Sequence, residues 1–402
     1  MQFLPHFPLR LNPIALFGLT VLMGLMGGEL ARRSKILPTI TGFIAVGFLV
    51  GPGALNIVTP SLLAYARIFV DISLGLVLFD LGRHLDFRWL RHDPGLFGMA
   101  ISESILTFFC IFFVLALYQL PPLSAALGAT IAVATSPAEI MMVAHDLSAE
   151  GPVTRRALIL TSLNNLFGLT LFTFLLPFTY PHSTVYMMIG HVIYRLIGSL
   201  GLGMLIFFLT LAIARLIGKR KENQFVLFTG VVILAIGLTR MFNVSSMLTL
   251  FTLGVAARNL DAKHMLTEVD FGWLARLFFT VLFVITGIQL QLKGLWLVPW
   301  SVLAFLLARS LAKTLGILLF AKKSRITGGQ SWGLSLALTP MATIAIGMSD
   351  KLIDINPDLN LQLMLIITAA VAVLDLLGPI AAQLAFIKTG EAAPDDYLRA
   401  PT

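Results

Sequence analysis

The sequence predicts an all-α polytopic membrane protein, and three observations support this fold class. Of the 402 residues, 57% are hydrophobic and only 12% are charged, with a mean hydropathy of +0.91. Soluble domains carry roughly a quarter charged residues. The second observation is a series of apolar runs of membrane-spanning length. The third is the clustering of Lys and Arg in the short segments between these runs, on one side of the predicted membrane.

About thirteen transmembrane helices can be placed along the chain. The predicted spans, numbered in order, are 12–28, 37–51, 65–82, 96–117, 121–147, 153–177, 186–214, 223–239, 244–257, 270–290, 296–320, 329–349 and 360–387. Spans 2 and 9 are short for a full crossing. Residues 1–388 are therefore predicted to form one membrane domain, and residues 389–402 a short polar cytoplasmic tail.

The positive charges agree with thirteen crossings. If the chain alternates sides strictly, 19 of the 28 Lys and Arg residues lie on one side, five on the other and four within spans. Cytoplasmic loops are enriched in Lys and Arg, so the N-terminus is predicted outside and the C-terminus in the cytoplasm of a bacterial-type inner membrane. The net charge of +8 is spread over short loops, and we expect no nucleic-acid partner.

The two halves of the chain resemble each other at three places, separated by seven predicted spans each time. The matching pairs are 78–85 with 283–290, Ser136-Pro137 with Thr339-Pro340, and 163–168 with 373–378. An odd number of spans inverts the second copy, which predicts an inverted repeat of about 37–177 and about 244–387. Inverted repeats are typical of secondary transporters.

Both predicted repeats contain a hydroxyl residue followed by proline in mid-span. These are Thr135-Ser136-Pro137 in span 5 and Thr339-Pro340 in span 12. Proline removes a helical hydrogen bond, and a broken helix is tolerated at membrane depth where protein or a water-filled cavity covers it. The pattern predicts two broken helices that cross near the midplane. The alternative is two ordinary proline kinks, which are common in membrane helices.

Several ionisable residues lie inside predicted spans, where such residues are usually functional. Arg309 and Lys313 are one turn apart on span 11, Asp375 is central in span 13, and Glu139 follows Pro137. We expect these four to act in function or in a functional ion pair, with structural salt bridges as the alternative. Asp80, Glu103, Asp270 and Arg276 are placed near cytoplasmic span ends, where snorkelling or a loop role is an equal alternative.

Two neutral amides, Asn164 and Asn165, lie at the middle of span 6. Their carbonyl oxygens can coordinate a dehydrated cation, but neither side chain can carry a proton. Considered alone, they are typical of hydrogen bonding between membrane helices.

These residues resemble the monovalent cation/proton antiporter superfamily over spans 2–13. The matching segments are 36–43 with Gly47 and Gly51-Pro52, 78–82, Ala134-Thr135-Ser136-Pro137 and Ala149-Glu150-Gly151-Pro152. The resemblance implies a homodimer, with a scaffold of spans 2 and 7–9 and a moving core of spans 4–6 and 11–13. It also implies exchange of Na⁺, K⁺ or Li⁺ for protons by elevator-like alternating access.

One position departs from the family pattern. Asn164 matches the family's Asn, but Asn165 replaces the acid that cation and proton share. The family's basic residue is matched by Lys313 or Arg309, of which Lys313 is the preferred match. Proton exchange then needs another acid, and we predict Glu139, or as second choice Asp375. Because an unpaired buried carboxylate is costly, Glu139 should be protonated, bound to the cation or paired with Lys313.

The candidate ion-binding and coupling residues are Thr135, Ser136, Glu139, Asn164, Asn165, Arg309, Lys313, Thr339 and Asp375. No cofactor and no metal beyond the transported cation is expected, and the one cysteine, Cys110, excludes an internal disulfide. A sodium-coupled organic anion symporter of similar fold is the main alternative, because amides suit Na⁺ and Arg309 would suit an anion. A membrane sensor and an intramembrane enzyme are further alternatives, but the chain contains no Gly-x-Gly-Asp or His-Glu-x-x-His pattern.

Overall fold

The chain folds into helices joined by short loops. The computed structural model describes residues 13–34, 37–58, 60–179, 185–218, 220–261, 265–266, 272–290, 293–341, 345, 347–349, 352 and 357–392. Within these residues all regular structure is helical, which confirms the all-α prediction. The helices are α1 Pro13–Arg33, α2 Thr39–Val50, α3 Pro60–His84, α4 Phe87–His92, α5 Pro94–Leu117, α6 Pro122–Val133, α7 Pro137–Asp146, α8 Pro152–Leu175, α9 Val185–Ile217, α10 Lys221–Met241, α11 Ser246–Leu260, α12 Gly272–Gln289, α13 Lys293–Leu297, α14 Pro299–Ala321, α15 Gly328–Ala337 and α16 Pro357–Lys388.

Each predicted span coincides with helical structure. Span 5 is divided into α6 and α7, as its proline predicts, and span 12 is broken after α15, with helical conformation again at 345 and 347–349. Among the described residues, seven helical segments are long and apolar enough to cross a membrane, and α2 and part of α12 are shorter apolar helices. A multi-pass protein is therefore confirmed, while the count of thirteen crossings stays a prediction.

Proline sets the first residue of several core helices. Six of them, α5, α6, α7, α8, α14 and α16, begin at a proline. Proline fits there because the first residues of a helix have no intrahelical acceptor for their N–H groups. Neighbouring side chains bind N–H groups that remain, as when Asp93 Oδ1 accepts from Leu96 N at 3.1 Å at the start of α5.

The helices pack into two groups. The core bundle contains α5–α8 and α13–α16, and the flanking bundle contains α1–α3 and α9–α12. The closest packing lies within each bundle, and α7, α8 and α16 make the main contacts between them. The core bundle consists of the helices of spans 4–6 and 11–13, and the flanking bundle combines spans 2 and 7–9 with spans 1, 3 and 10.

Two glycine contacts support the inverted repeat. Gly47 of α2 faces Gly287 of α12, and Gly254 of α11 faces Gly82 of α3. A Cβ atom at Gly47 or Gly254 would lie 2.1 Å from a carbonyl oxygen of the facing helix, so neither position has room for a side chain. Because α2 corresponds to α11 and α3 to α12 in the predicted repeat, the two halves make the same close contact. The repeat boundaries themselves stay predictions.

The residues that follow α16 are attached to the start of α8. Gly390 has φ +74, and this left-handed conformation lets the chain turn back after the helix. The carboxylate of Glu391 then accepts from Val153 N at 2.6 Å and from Thr154 N at 2.7 Å. Residues 389–392 are thus part of the folded core, and the rest of the predicted tail, 393–402, lies outside the described residues.

Candidate ion-binding site

The two helix breaks touch each other inside the core bundle. The backbone N–H of Ser136, in the first break, donates to the carbonyl oxygen of Pro340 in the second at 3.2 Å. Gly378 of α16 lies against the same proline, because a Cβ there would be 2.8 Å from Pro340 Cα. This contact confirms the predicted crossing and argues against two unrelated proline kinks.

Arg309 of α14 binds both breaks through their backbone. Its guanidinium donates to Ala132 O at 2.9 Å and Ala134 O at 3.0 Å, at the end of α6. It also donates to Thr339 O at 2.7 Å and Pro340 O at 3.2 Å, beyond the end of α15. Carbonyls at helix C-termini lack intrahelical partners and form the negative end of the helix dipole. The buried Arg309 cation compensates both ends.

Lys313 is paired with Glu103, an acid that was not among the candidate site residues. Its ammonium group contacts the Glu103 carboxylate and donates to Thr135 Oγ1 at 3.1 Å and Val133 O at 3.2 Å. Both charged side chains are almost fully buried. The snorkelling or loop role considered for Glu103 is therefore wrong, because α5 places this residue within the bundle rather than at the membrane surface.

The two asparagines hold α8 against the first break. Asn165 Nδ2 donates to Thr135 O at 2.7 Å and to Thr161 O at 2.8 Å. Asn164 Oδ1 accepts from Ser104 Oγ at 3.3 Å, and its Nδ2 lies 3.5 Å from Thr135 Oγ1. Both amides are fully buried, and Asn165 Oδ1 has no hydrogen-bond partner among the described residues. Hydrogen bonding accounts for the amide nitrogens and leaves one carbonyl oxygen unused.

Glu139 and Asp375 form a second polar centre at the crossing. Both are fully buried, and none of their four carboxylate oxygens has a hydrogen-bond partner among the described residues. Their helices, α7 and α16, pack together, and the two carboxylates interact electrostatically. Arg309 also acts on Glu139 electrostatically. Of the three states predicted for Glu139, pairing with Lys313 is not found in this structure, because Lys313 takes Glu103 as its partner.

All nine candidate residues lie in the core bundle, at or beside the crossing. They divide into an amide cluster and a carboxylate pair. The amide cluster consists of Thr135, Asn164, Asn165, Lys313 and the additional Glu103. The carboxylate pair consists of Glu139 and Asp375. The other three candidates, Ser136, Thr339 and Arg309, lie at the breaks. The sequence did contain a signal for Glu103, since Glu103, Ser104 and Thr107 form a polar stripe on an apolar helix.

Comparison with known proteins agrees with this fold. The family described as "Sodium/hydrogen exchanger, transmembrane" matches residues 18–384. One structure of the sodium proton antiporter MjNhaP1 from Methanocaldococcus jannaschii, at pH 8, has a TM-score of 0.69 and 19% identity, covering 96% of this chain and 98% of its own. An electron-microscopy structure of MjNhaP1 has a TM-score of 0.71 and 18% identity, covering 97% and 99%. No curated protein sequence matches.

Proposed function

Because the chain belongs to the sodium/hydrogen exchanger family, and is thus a membrane transporter rather than an enzyme, we propose that it exchanges Na⁺ or K⁺ for protons. The proposed site is the crossing of the two broken helices and the buried polar groups around it. The observation that favours this site most is the carboxylate pair, whose four buried oxygens have no hydrogen-bond partner among the described residues.

The carboxylate pair is the proposed proton carrier. Two negative charges close together in a dry site repel each other and have lost their hydration. One proton, or one cation bound within the same buried site, reduces both costs, so proton and cation compete for that site. Glu139 is the primary carrier because it lies directly after the first break and interacts with both Asp375 and Arg309. Because the two carboxylates interact, the protonation of Glu139 affects the charge of Asp375.

The proposed access mechanism is elevator-like. The core bundle would carry the site past the flanking bundle, in a protein that the resemblance implies to be a homodimer. Two features support this motion. The site residues belong to one bundle, and the contacts between bundles are fewer than those within them. A bacterial-type inner membrane is the proposed location, with the C-terminus in the cytoplasm.

The organic anion symporter remains a weaker alternative. Its anion would have to bind the Arg309 guanidinium, which already donates to carbonyl oxygens of both breaks. An organic anion would have to displace those bonds at the crossing. The bonds of Arg309 therefore favour a structural role for this side chain. They also favour the exchange of small ions over the transport of an organic anion.

Proton flux in reconstituted vesicles tests the proposal. Purified protein in proteoliposomes that contain a pH-sensitive dye receives a gradient of Na⁺, K⁺ or Li⁺. We expect the wild type to move protons against the cation, Glu139→Gln to abolish this movement and Asp375→Asn to impair it. Glu150→Gln, at an exposed glutamate between α7 and α8, is the matched control and should exchange normally.

Three outcomes contradict parts of this proposal. A wild type that moves no protons with any of the three cations excludes cation/proton exchange. Full exchange in Glu139→Gln excludes Glu139 as the carrier. A loss confined to Asp375→Asn assigns the carrier to α16 instead.

A further inference from the structure

The Glu103–Lys313 pair is a buried pair of opposite charges that the proposed proton step does not use. We propose that Glu103 is the acidic ligand of the transported cation, at the place that the Lys313 ammonium group holds in this structure. This inference rests on the proposed exchange, because it assigns that reaction a cation ligand. The ligand is a dehydrated monovalent cation such as Na⁺ or K⁺.

The surroundings of the Lys313 ammonium are those of a small cation. Three oxygen atoms contact it, and each is a different type: a Glu103 carboxylate, the Thr135 hydroxyl at 3.1 Å and the Val133 carbonyl at 3.2 Å. An ammonium group and an alkali cation carry the same charge and are both satisfied by oxygens. Unwound backbone carbonyls at helix breaks are known to coordinate Na⁺ in transporters.

Two further oxygens of this cluster have no hydrogen-bond partner among the described residues. They are Glu103 Oε2 and Asn165 Oδ1, and both are buried. Buried polar atoms are rarely left in this state. Asn165 and Lys313 both bind Thr135, so the Asn165 carbonyl belongs to the same cluster. These atoms can complete a cation's shell once the ammonium leaves.

Glu103 is held in place, whereas Lys313 can withdraw. A Cβ at Gly316 would lie 2.3 Å from Glu103 Cα, so α5 and α14 are in direct backbone contact there. Ser102 Oγ also donates to Gly316 O at 2.7 Å. Lys313, one turn before Gly316, carries its charge on a flexible four-carbon stem. A cation can therefore replace the ammonium by moving one side chain.

The charges that act on Glu103 both come from α14. They are Lys313, which contacts the carboxylate, and Arg309, which acts at longer range. Arg309 is bound to four carbonyl oxygens and is not available as a direct partner. When Lys313 withdraws, Glu103 is neutralised either by an arriving cation or by a proton, so the two compete for this carboxylate as well.

A structural role makes a different prediction. If the pair only fastens α5 to α14, replacing both charges with neutral groups of similar size should cost little, as it often does for buried ion pairs. The variant Glu103→Gln with Lys313→Met makes that replacement. It leaves no unpaired buried charge, so it should fold even if Glu103→Gln alone does not.

The test measures cation binding and transport together. The first readout is the rise in melting temperature of the purified protein when NaCl or KCl replaces choline chloride at equal ionic strength. The second is the apparent KM for the cation in proteoliposomes. We expect Glu103→Gln and the double variant to lose most of the stabilisation by cation and to raise KM at least about tenfold, equivalent to about 1.4 kcal/mol. Glu150→Gln should match the wild type in both readouts.

A second double variant moves the acid. In Glu103→Gln with Asn164→Asp, the new carboxylate would lie beside Thr135 Oγ1 and Ser104 Oγ, which Asn164 already contacts. We expect this variant to recover part of the cation stabilisation, which a merely structural pair would not predict.

The inference is overturned if the Glu103→Gln, Lys313→Met variant keeps wild-type stabilisation by cation and wild-type KM. It is also overturned if neither Na⁺ nor K⁺ stabilises the wild type. A wild type that binds cation through Glu103 but moves no protons would leave this inference standing and exclude the proposed exchange.

Discussion

At the scale of single residues, two positively charged side chains on α14 have different binding partners. Arg309 binds backbone carbonyls of both breaks, whereas Lys313 binds a buried acid and a hydroxyl. The sequence predicted that both would be buried on one face of span 11, because their spacing is one helical turn. It could not assign their partners, since those come from helices far away in the chain.

The planar fork of Arg309 is the reason that a lysine should not replace it. Arg309→Lys keeps the charge but can satisfy fewer of the four carbonyl oxygens. We expect a loss of stability on the order of 3 kcal/mol, as for other disrupted buried charge networks, and more for Arg309→Gln. Thermal unfolding of the purified protein measures this, and an unchanged melting temperature in both variants would contradict the role of Arg309 at the crossing.

Asn165 donates two hydrogen bonds through its amide nitrogen, and an ionised aspartate at this position could donate neither. Asn165→Asp would turn an oxygen toward the carbonyls of Thr135 and Thr161, which is tolerated only while the acid is protonated. We expect this variant to lose exchange activity as the pH rises, and Asn165→Leu to be impaired at every pH. The measurement is exchange rate against pH, and a wild-type profile in Asn165→Asp would place the ion site elsewhere.

The burial of Glu103 could not be predicted from the sequence. Its position along α5 suggested a site near the membrane surface, but depth along a helix does not determine burial. The close approach of α5 to α14 at Gly316 buries this residue, and that approach depends on tertiary packing.

At the scale of helices, the breaks were predictable because their cause is local. Proline removes a helical hydrogen bond and thereby kinks or breaks a helix, and both breaks lie at a proline that follows a hydroxyl residue. Ser136 also accepts from Glu139 N at 3.4 Å and so caps α7. Local chemistry thus accounts for where the helices stop, but the contact between Ser136 and Pro340 required the fold.

The start of α8 provides a test at this scale. Glu391 binds the Val153 and Thr154 N–H groups, which have no acceptor within the helix. Glu391→Ala should remove this cap and cost about 1 kcal/mol, as for other N-caps. Hydrogen exchange at the amides of 153 and 154 should accelerate relative to Glu150→Gln. Unchanged exchange would mean that this cap does not form in solution.

At the scale of the whole molecule, charge and repetition predicted the architecture. Hydropathy placed the spans, and the match of the two halves indicated the inverted repeat that the paired glycine contacts support. Neither signal specified how the bundles would pack. Packing separates the helices that bear the candidate site from those that surround it.

The orientation of the chain is a separate expectation at this scale. The charge distribution predicts that Gln2 is external and Thr402 cytoplasmic, and both residues lie outside the described residues. A reporter fused at Thr402 should be active inside the cell, and a tag at Gln2 should be accessible from outside. Both termini on one side would require an even number of crossings and would contradict the count of thirteen.

The central claim is that one buried site binds either a cation or a proton, and the most direct measurement is cation affinity against pH. Purified wild-type protein is titrated with NaCl and with KCl at constant ionic strength over a series of pH values. If each bound cation displaces one proton, the apparent Kd for the cation should rise about tenfold for each unit by which the pH falls, over the range in which the free site is protonated. A cation affinity that stays constant across this range would contradict the claim.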